Sequence, residues 1–355
     1  MFFFTEMNFK LLLFTLFFSF CIKSYSQIGG NNTYEFLNLP ISARAAALGG
    51  NVLSIRDNDI NLAVLNPSLL NKTMNNHLAL SYINYFSDIN LGYAGYSKTI
   101  DKLGSFNAGM QYINYGKFTR AEDNGEITGA FSAGEYALNL GWGRQLDSSF
   151  SIGSNFKTIY STLEQYQSLG VAVDLAGTYF NERLKFGTTL LVKNIGTQII
   201  AYRKGNKEPL PFEIQLGLSK QLEHAPFRFS MVLENLEKFD LTYRDTTKTG
   251  VNINPITGEE IHEKIGFFGK SLRHVVIGGE FLPSKNFNIR IGYNYQRRQE
   301  LKLTTRGGIS GFSWGFGFRI SKFHISYSRA TYHLAGASNH FTISTSLSSF
   351  NREGP

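Results

Sequence analysis

From about His77 onward, apolar residues occupy every second position over long stretches, the period of a strand with one apolar face. In Phe312–Ile320, one face is Phe312, Trp314, Phe316, Phe318 and Ile320, and the other is Ser313, Gly315, Gly317 and Arg319. Phe287, Ile289, Ile291, Tyr293 and Tyr295 alternate in the same way with Asn288, Arg290, Gly292, Asn294 and Gln296. The pattern predicts fourteen strands, at 77–86, 90–100, 103–116, 132–146, 149–163, 166–180, 184–195, 211–222, 226–236, 271–283, 286–298, 311–320, 322–330 and 339–349. Their connections sort by parity. Tight turns such as Asp101-Lys102, Asp147-Ser148 and Ser284-Lys285 follow even-numbered strands, and the long connections at 117–131, 196–210, 237–270 and 299–310 follow odd-numbered ones. Short turns on one rim and long loops on the other characterise an antiparallel transmembrane β-barrel of the bacterial outer membrane. The even strand number leads us to expect both termini on the short-turn, periplasmic side. A soluble β-sandwich or jelly roll is the rival fold. It has no reason to segregate loops by parity, and it would expose a charged face rather than one of Gly, Ser, Thr, Asn and Gln.

Composition supports the barrel. The 355 residues include 18 Tyr, 31 Phe and 35 Gly but only 17% charged residues, against about 25% in an average soluble protein. A mean hydropathy of −0.16 excludes a bundle of membrane helices. The chain opens with Lys10 and an apolar run, Leu11 to Ile22, too short for a hydrocarbon core of about 30 Å and suited to a signal peptide. Ser24 and Ser26 place small residues before a cut at Gln27, and Phe20 is too bulky to precede a lipidated Cys21. Since Cys21 is the chain's single cysteine, no thiol or disulfide chemistry is expected in the mature protein. The expected organisation is a signal peptide over 1–26, an N-terminal segment over 27–76, a barrel over 77–350 and a tail over 351–355.

Residues 28–76 do not alternate. Ser42-Ala43-Arg44-Ala45-Ala46-Ala47-Leu48 reads as a short helix capped by Ser42 and ended by Gly49-Gly50, and Asn66-Pro67-Ser68-Leu69-Leu70 follows Asp59. A fourteen-stranded barrel is wide enough to need filling, and the many apolar residues here fit a plug in its lumen better than a solvated periplasmic tail. The charges Asp174, Glu213, Glu234, Arg290 and Arg319 fall on the polar phase of their strands and are expected to face the lumen, since an arginine facing lipid at midplane costs about 2–4 kcal/mol. They serve either as internal salt bridges or as a selectivity constriction.

The combination Tyr34-Glu35-Phe36-Leu37, Ser42 to Gly50, Asp59 and Asn66 to Leu70 resembles the amino-terminal signature of the PorV/PorQ branch of the FadL-like outer-membrane proteins. It is most similar to the PorQ-type members of the type IX secretion system, with Ser68 in place of the usual Ala. The resemblance covers about fifty residues. It implies a plug built on Ser42, Arg44, Gly49, Gly50, Asp59, Asn66 and Pro67. It also implies a non-enzymatic outer-membrane barrel that holds a PorZ-like surface protein beside other cargo-attachment proteins, at anionic lipopolysaccharide. The alternative it leaves open is a FadL-type channel for hydrophobic small molecules.

Sequence motifs for catalysis are lacking: no Gly-Xaa-Ser-Xaa-Gly elbow, Walker loop or His-Glu-Xaa-Xaa-His helix occurs. The histidines lack ligand spacing, so neither a metal nor a cofactor is expected. The net charge of +8 comes without an aromatic-interleaved basic run, which argues against nucleic acid. Loop cations at Lys238, Arg244, Lys248, Lys264 and Lys270 instead suit an acidic partner or lipopolysaccharide.

Overall fold

In the computed structural model, residues 32–242, 265–301, 309–333 and 336–350 are described. The expected leader and tail, and Arg244, Lys248 and Lys264, lie outside the described residues. The strands are β1 (His77–Asn84), β2 (Asn90–Ile100), β3 (Gly104–Ala121), β4 (Ile127–Gln145), β5 (Phe150–Leu163), β6 (Tyr166–Asn181) and β7 (Phe186–Ile200). They continue as β8 (Glu213–Gln221), β9 (Phe227–Leu233), β10 (Val275–Phe281), β11 (Phe287–Asn294), β12 (Phe312–Ile320), β13 (Phe323–His333) and β14 (Gly336–Ser346). Each pairs antiparallel with its sequence neighbours, and β1 pairs with β14 from His77↔Ser346 to Asn84↔Asn339, closing the sheet into a barrel.

The barrel is inside-out. On β4, Tyr136, Leu138 and Leu140 are exposed on the outer face, and Glu135, Ala137 and Asn139 are buried between them. The outer rings also touch one another: Tyr327 lies 5.6 Å from Phe316 and 5.0 Å from Phe341. A closed sheet with an apolar exterior and a polar interior is the pattern of a transmembrane barrel, because only lipid can cover so much exposed apolar surface.

Wall height differs around the barrel. Strands β3 to β7 run 14 to 19 residues, whereas β8 to β12 run 7 to 9, and about 9–11 tilted residues suffice to cross a bilayer. The expected loop over 117–131 is mostly strand. Beyond Asn114 on β3 and Ala133 on β4, the two strands pair only with each other, out to Ala121↔Ile127. Gly125, at φ 84°, allows the tight return from Glu122 to Glu126. The low wall is irregular where more strand was expected. Asn294 ends β11, its side chain accepting from the Arg297 amide at 2.9 Å, so helix α4 (Tyr295–Leu301) replaces the end of the predicted 286–298 strand. Likewise α3 (Phe267–Leu272) delays β10 to Val275.

The core lies inside the lumen, around the N-terminal segment. That segment includes helices α1 (Ala43–Ala47) and α2 (Ile60–Leu65) and short 3-10 turns at Glu35–Asn38, Pro67–Leu69 and Lys72–Met74. Ser42 caps α1, its hydroxyl accepting from the Ala45 amide at 3.3 Å, and Gly49 and Gly50 end it at φ 97° and 107°. Asp59 caps α2 through the Asn61 amide at 3.1 Å. Thr33 donates its amide to the Pro209 carbonyl in the β7–β8 connection, and Asn75 accepts from the Thr99 amide near the β2–β3 turn. The segment therefore runs from the long-loop rim to the short-turn rim. The strand-bearing part has both ends at the short-turn side and Thr33 lies toward the opposite rim; the termini themselves lie outside the described residues.

Candidate functional site

Contacts between the luminal segment and the wall come from strands all round the barrel. The Phe36 carbonyl accepts from Gln111 of β3 at 2.8 Å, and the Ala43 amide donates to Thr342 of β14 at 2.9 Å. Ser313 of β12 bridges the Gly49 amide and the Ala47 carbonyl, and Asn51 donates to Gln215 of β8 and to Glu234. Asn66 has two tasks. Its side-chain oxygen accepts from the Ser68 amide at 3.0 Å, setting the turn that starts at Pro67, and its nitrogen donates to the Leu53 carbonyl at 2.6 Å and to Thr178 of β6 at 3.1 Å. The turn's backbone presses on the wall where Gly143 and Gly153 leave room for it.

Toward the short-turn rim sits a buried charge network. The Arg44 guanidinium donates to Glu280 at 3.0 Å, to Asp57 at 2.7 Å and to Asp59 at 3.2 Å. Glu280, on β10, also accepts from Arg228 of β9 at 2.6 Å and Arg290 of β11 at 2.8 Å. Three cations and three carboxylates thus balance around Glu280, which is wholly buried, while Asp57 and Asp59 keep some contact with water; at the buried end charge-assisted bonds are strong and an unmatched charge is costly. Burial works against the charge on Arg44, but Asp57, Glu280 and Asp59 outweigh it and hold the guanidinium well above its ordinary value. Burial likewise opposes ionisation of Asp57, and Arg44 and Arg228 overcome it, keeping that carboxyl below the usual carboxylate range.

Toward the other rim, charged groups on consecutive strands form a ladder. Lys157 of β5 pairs with Asp174 of β6 at 2.7 Å, and Lys193 of β7 approaches Glu213 of β8 at 3.6 Å. Glu234 follows just beyond β9; burial and the nearby Glu213 push its carboxyl up to about 7. Of the five strand charges read from the sequence, Asp174, Glu213, Glu234 and Arg290 line the lumen, in two separate groups. Arg319 shares their phase but is exposed at the short-turn end of β12 and joins neither. Arg44 was legible as a plug residue, but its carboxylate partners were not, because Asp57 and Glu280 come together only through the fold.

A third region is apolar. Ile83, Leu91, Ile113, Ala137, Ile159 and Ala172 of β1 to β6 turn inward and are covered by Tyr34, Phe36 and Leu37. The Tyr34 hydroxyl meets Ser168, and Tyr202 donates to Ser161 at 2.5 Å. A contact of 2.8 Å between Ser338 and His340 Nε2 is wholly buried, and the other ring nitrogen has no partner among the described residues, so nothing orients the pair as a nucleophile and base.

At the long-loop rim, Phe267 and Phe268 of α3 are exposed, with Phe239 5.5 Å from Phe267. Lys270 binds Asp240 at 2.6 Å and, with Thr242, holds that carboxyl down at about 2.

No protein-family model and no curated protein matches the chain. Among solved structures, the toluene transporter TodX of Pseudomonas putida is similar at TM-score 0.49 and 12% identity, over 86% of this chain and 96% of that one. A Pseudomonas aeruginosa FadL homologue is similar at TM-score 0.47 and 10% identity, over 86% and 97%. The KdgM porin follows at TM-score 0.35 and 6% identity, over 76% and 99%. These likenesses are too distant to carry function across, and the fold rests on the strand ladder itself.

Proposed function

We propose that this chain is an outer-membrane barrel, sealed by its luminal segment, that anchors a surface protein through its long-loop rim. The supporting observation is the β3–β4 hairpin over 117–132. Phe118 and Ile127 are exposed, as are neighbours on both faces, and neither edge is paired with another strand beyond Asn114 and Ala133. A lone hairpin is marginal in water, and open edges invite strand addition, so this one is completed by a partner. The resemblance of residues 34–70 to PorQ-type proteins favours a PorZ-like protein of the type IX attachment complex as the proposed partner, with the short-turn rim proposed to be periplasmic. The charge-balanced network and the bonds from around the wall suit a static plug.

The test is to shorten the hairpin by joining Lys117 to Ser132 through Asn-Gly, a favoured two-residue turn. A tagged wild-type chain should co-purify the PorZ-like protein from its own membranes, and the shortened chain should lose it while the barrel stays folded. Equal recovery with both chains would overturn the reading.

A second reading, passage of small apolar molecules, is favoured by the apolar seam on β1 to β6, since barrel lumens are ordinarily polar. It predicts faster entry of the apolar dye N-phenyl-1-naphthylamine into proteoliposomes, and faster still with Phe36→Ala. Rates equal to those of protein-free vesicles would exclude it.

A further inference from the structure

The lower edge of the lipid-facing wall is marked at the short turns by exposed Leu103, Leu146, Leu184, Leu222 and Ile320, each next to a charged residue. Leu222 donates its amide at 2.9 Å to the carbonyl of Phe227, the first residue of β9, so β9 starts at that edge. β9 and its neighbour β10 have seven residues each. At a rise of about 3.4 Å and a tilt of about 40°, seven residues gain about 18 Å of height, against an apolar belt about 25 Å tall. The wall here stops about 7 Å below the belt's upper edge. On β4, pairing on both sides runs from Gly143 to Gly134, about 26 Å, and leaves no deficit.

Five apolar side chains stand where the wall is missing. Leu236, Phe239, Phe267, Phe268 and Leu272 are exposed, Phe267 at 71% and Phe268 at 80%. Leu236 donates its amide at 2.9 Å to the carbonyl of Ile214, a residue on the outward phase of β8, and so prolongs the outer face. Phe239 lies 5.5 Å from Phe267, and its carbonyl is 3.1 Å from Nε2 of His274, the residue before β10. The polar groups of α3 are engaged elsewhere, Lys270 with Asp240 at 2.6 Å and Arg273 with Gln296 of α4 at 3.3 Å. α3 has six residues and none is buried; a helix that short does not hold in water without an apolar surface to pack on.

We propose that α3 is a membrane-embedded element, with Phe239, Phe267, Phe268 and Leu272 among the lipid acyl chains of the leaflet at the long-loop rim, completing the apolar belt that β9 and β10 leave unfinished. An interfacial helix sinks about 5–10 Å past the headgroups, which matches the missing height. Lipid is the occupant because the patch continues the outer face that carries Phe229 and Ile277. Lys238 and Lys270 lie beside it, where long cationic side chains reach back to headgroup phosphates. The inference rests on the chain spanning a membrane and is independent of what the 117–132 hairpin binds.

The test uses the full chain in phosphatidylcholine nanodiscs, with single cysteines in a Cys21→Ser background labelled by an environment-sensitive nitrobenzoxadiazole dye. Phe268→Cys reports on α3, Ile277→Cys on the outer wall and Ile127→Cys on the hairpin tip. A phospholipid carrying a nitroxide near the top of its acyl chain should quench the labels at 268 and 277 at least twofold. Aqueous iodide should quench the label at 268 at least threefold less than the label at 127. The proposal is overturned if the label at 268 responds to iodide as the label at 127 does, or ignores the nitroxide lipid. If the label at 277 is also untouched by that lipid, the membrane-spanning reading falls with it; if 277 is quenched and 268 is not, the proposal alone falls. A second measurement needs no label. Trypsin should cut after Lys270 at least fivefold faster in a Phe267→Ser, Phe268→Ser double variant than in wild type, with heat-modifiable gel mobility retained because neither ring is buried in the protein. Equal cutting rates would also overturn it.

Discussion

Replacing Arg44 with methionine, which keeps the length of the stem, tests whether buried charges hold the luminal segment in place. Arg44 makes five hydrogen bonds, to Glu280, Asp57 and Asp59. Removing one member of a buried ion pair costs about 3–5 kcal/mol when its partner is stranded. Here the lower end applies, because Glu280 keeps Arg228 and Arg290, and Asp57 keeps Arg228 at 3.5 Å. A cost of about 3 kcal/mol is roughly a hundredfold rise in the undocked population. Limited proteolysis in detergent reads this directly, since cleavage within 33–76 tracks the opening equilibrium when reclosing is fast. Adding Asp57→Asn to Arg44→Met removes the excess negative charge and should recover about 1–2 kcal/mol, a coupling expected only of residues in one network. The cost should also shrink in acid. Asp57 is held below its ordinary value, so its contribution is present above its unfolded pKa near 4 and is lost as pH falls through the folded one. A cleavage rate within twofold of wild type, or strict additivity of the two substitutions, would refute the network as the fastening.

Further outcomes follow from other contacts. Gly153→Ala sets a methyl against the backbone of Pro67 and Ser68, and Gly292→Ala sets one against Leu48 and Gly49; each should cost about 1–3 kcal/mol in urea titrations, whereas Gly177→Ala, with open space around it, should cost far less. Glu234 is pushed up to about 7 by burial and Glu213, with Asn51, Lys193 and Arg297 opposing. Its contribution is therefore present below its unfolded value near 4.5 and is lost as pH rises to about 7. Wild type should have a higher urea midpoint at pH 5 than at pH 8, and Glu234→Gln should flatten that difference. The path of the luminal segment predicts that Asn32→Cys, in a Cys21→Ser background, reacts with a membrane-impermeant maleimide in intact cells, whereas Ser348→Cys, by the short-turn rim, reacts only after lysis. The reverse pattern would mean that the barrel sits the other way up.

Strand number and the parity of the turns were legible because both depend on local chemistry: alternation marks each strand and tight turns mark each return. Errors fall where local signals run out. The period-two pattern continues through Tyr295 although the Asn294 cap starts a helix there. Lys117 to Ser132 looks like a loop because a hairpin exposed on both faces has no apolar phase to reveal it. Site residues divide the same way. Ser42 caps α1 and Gly49 and Gly50 end it, as their motif suggests, whereas the cap by Asp59 and the turn set by Asn66 at Pro67 appear only in the structure. The partners of Arg44 come from residues up to 236 positions away, and no spacing announces them. Arg319 carries the lumen phase, but its height on β12, set by the register with β13, leaves it exposed.

The unusual glycine content has its explanation in the lumen, and it bears on function. A side chain on Gly153 or Gly292 would collide with the luminal backbone, and on Gly217, Gly278 or Gly315 it would crowd Leu53, Leu48 and Ala47. Those positions lie on five different strands. Wall and segment therefore fit as the two halves of a core do, with the apolar side chains of α1 and α2 buried where a soluble protein would keep its own interior. Taking the whole segment out breaks the Arg44 network, the Asn66 bonds and this packing together, a cost comparable with unfolding a small domain. Transport that needs its removal is too costly to recur without an energy source, whereas a shift confined to Tyr34–Leu37 leaves the fastening intact. Any apolar flux should accordingly respond to Phe36→Ala and be indifferent to the strength of the Arg44 network, and the attachment of a surface partner at the 117–132 hairpin should be indifferent to both.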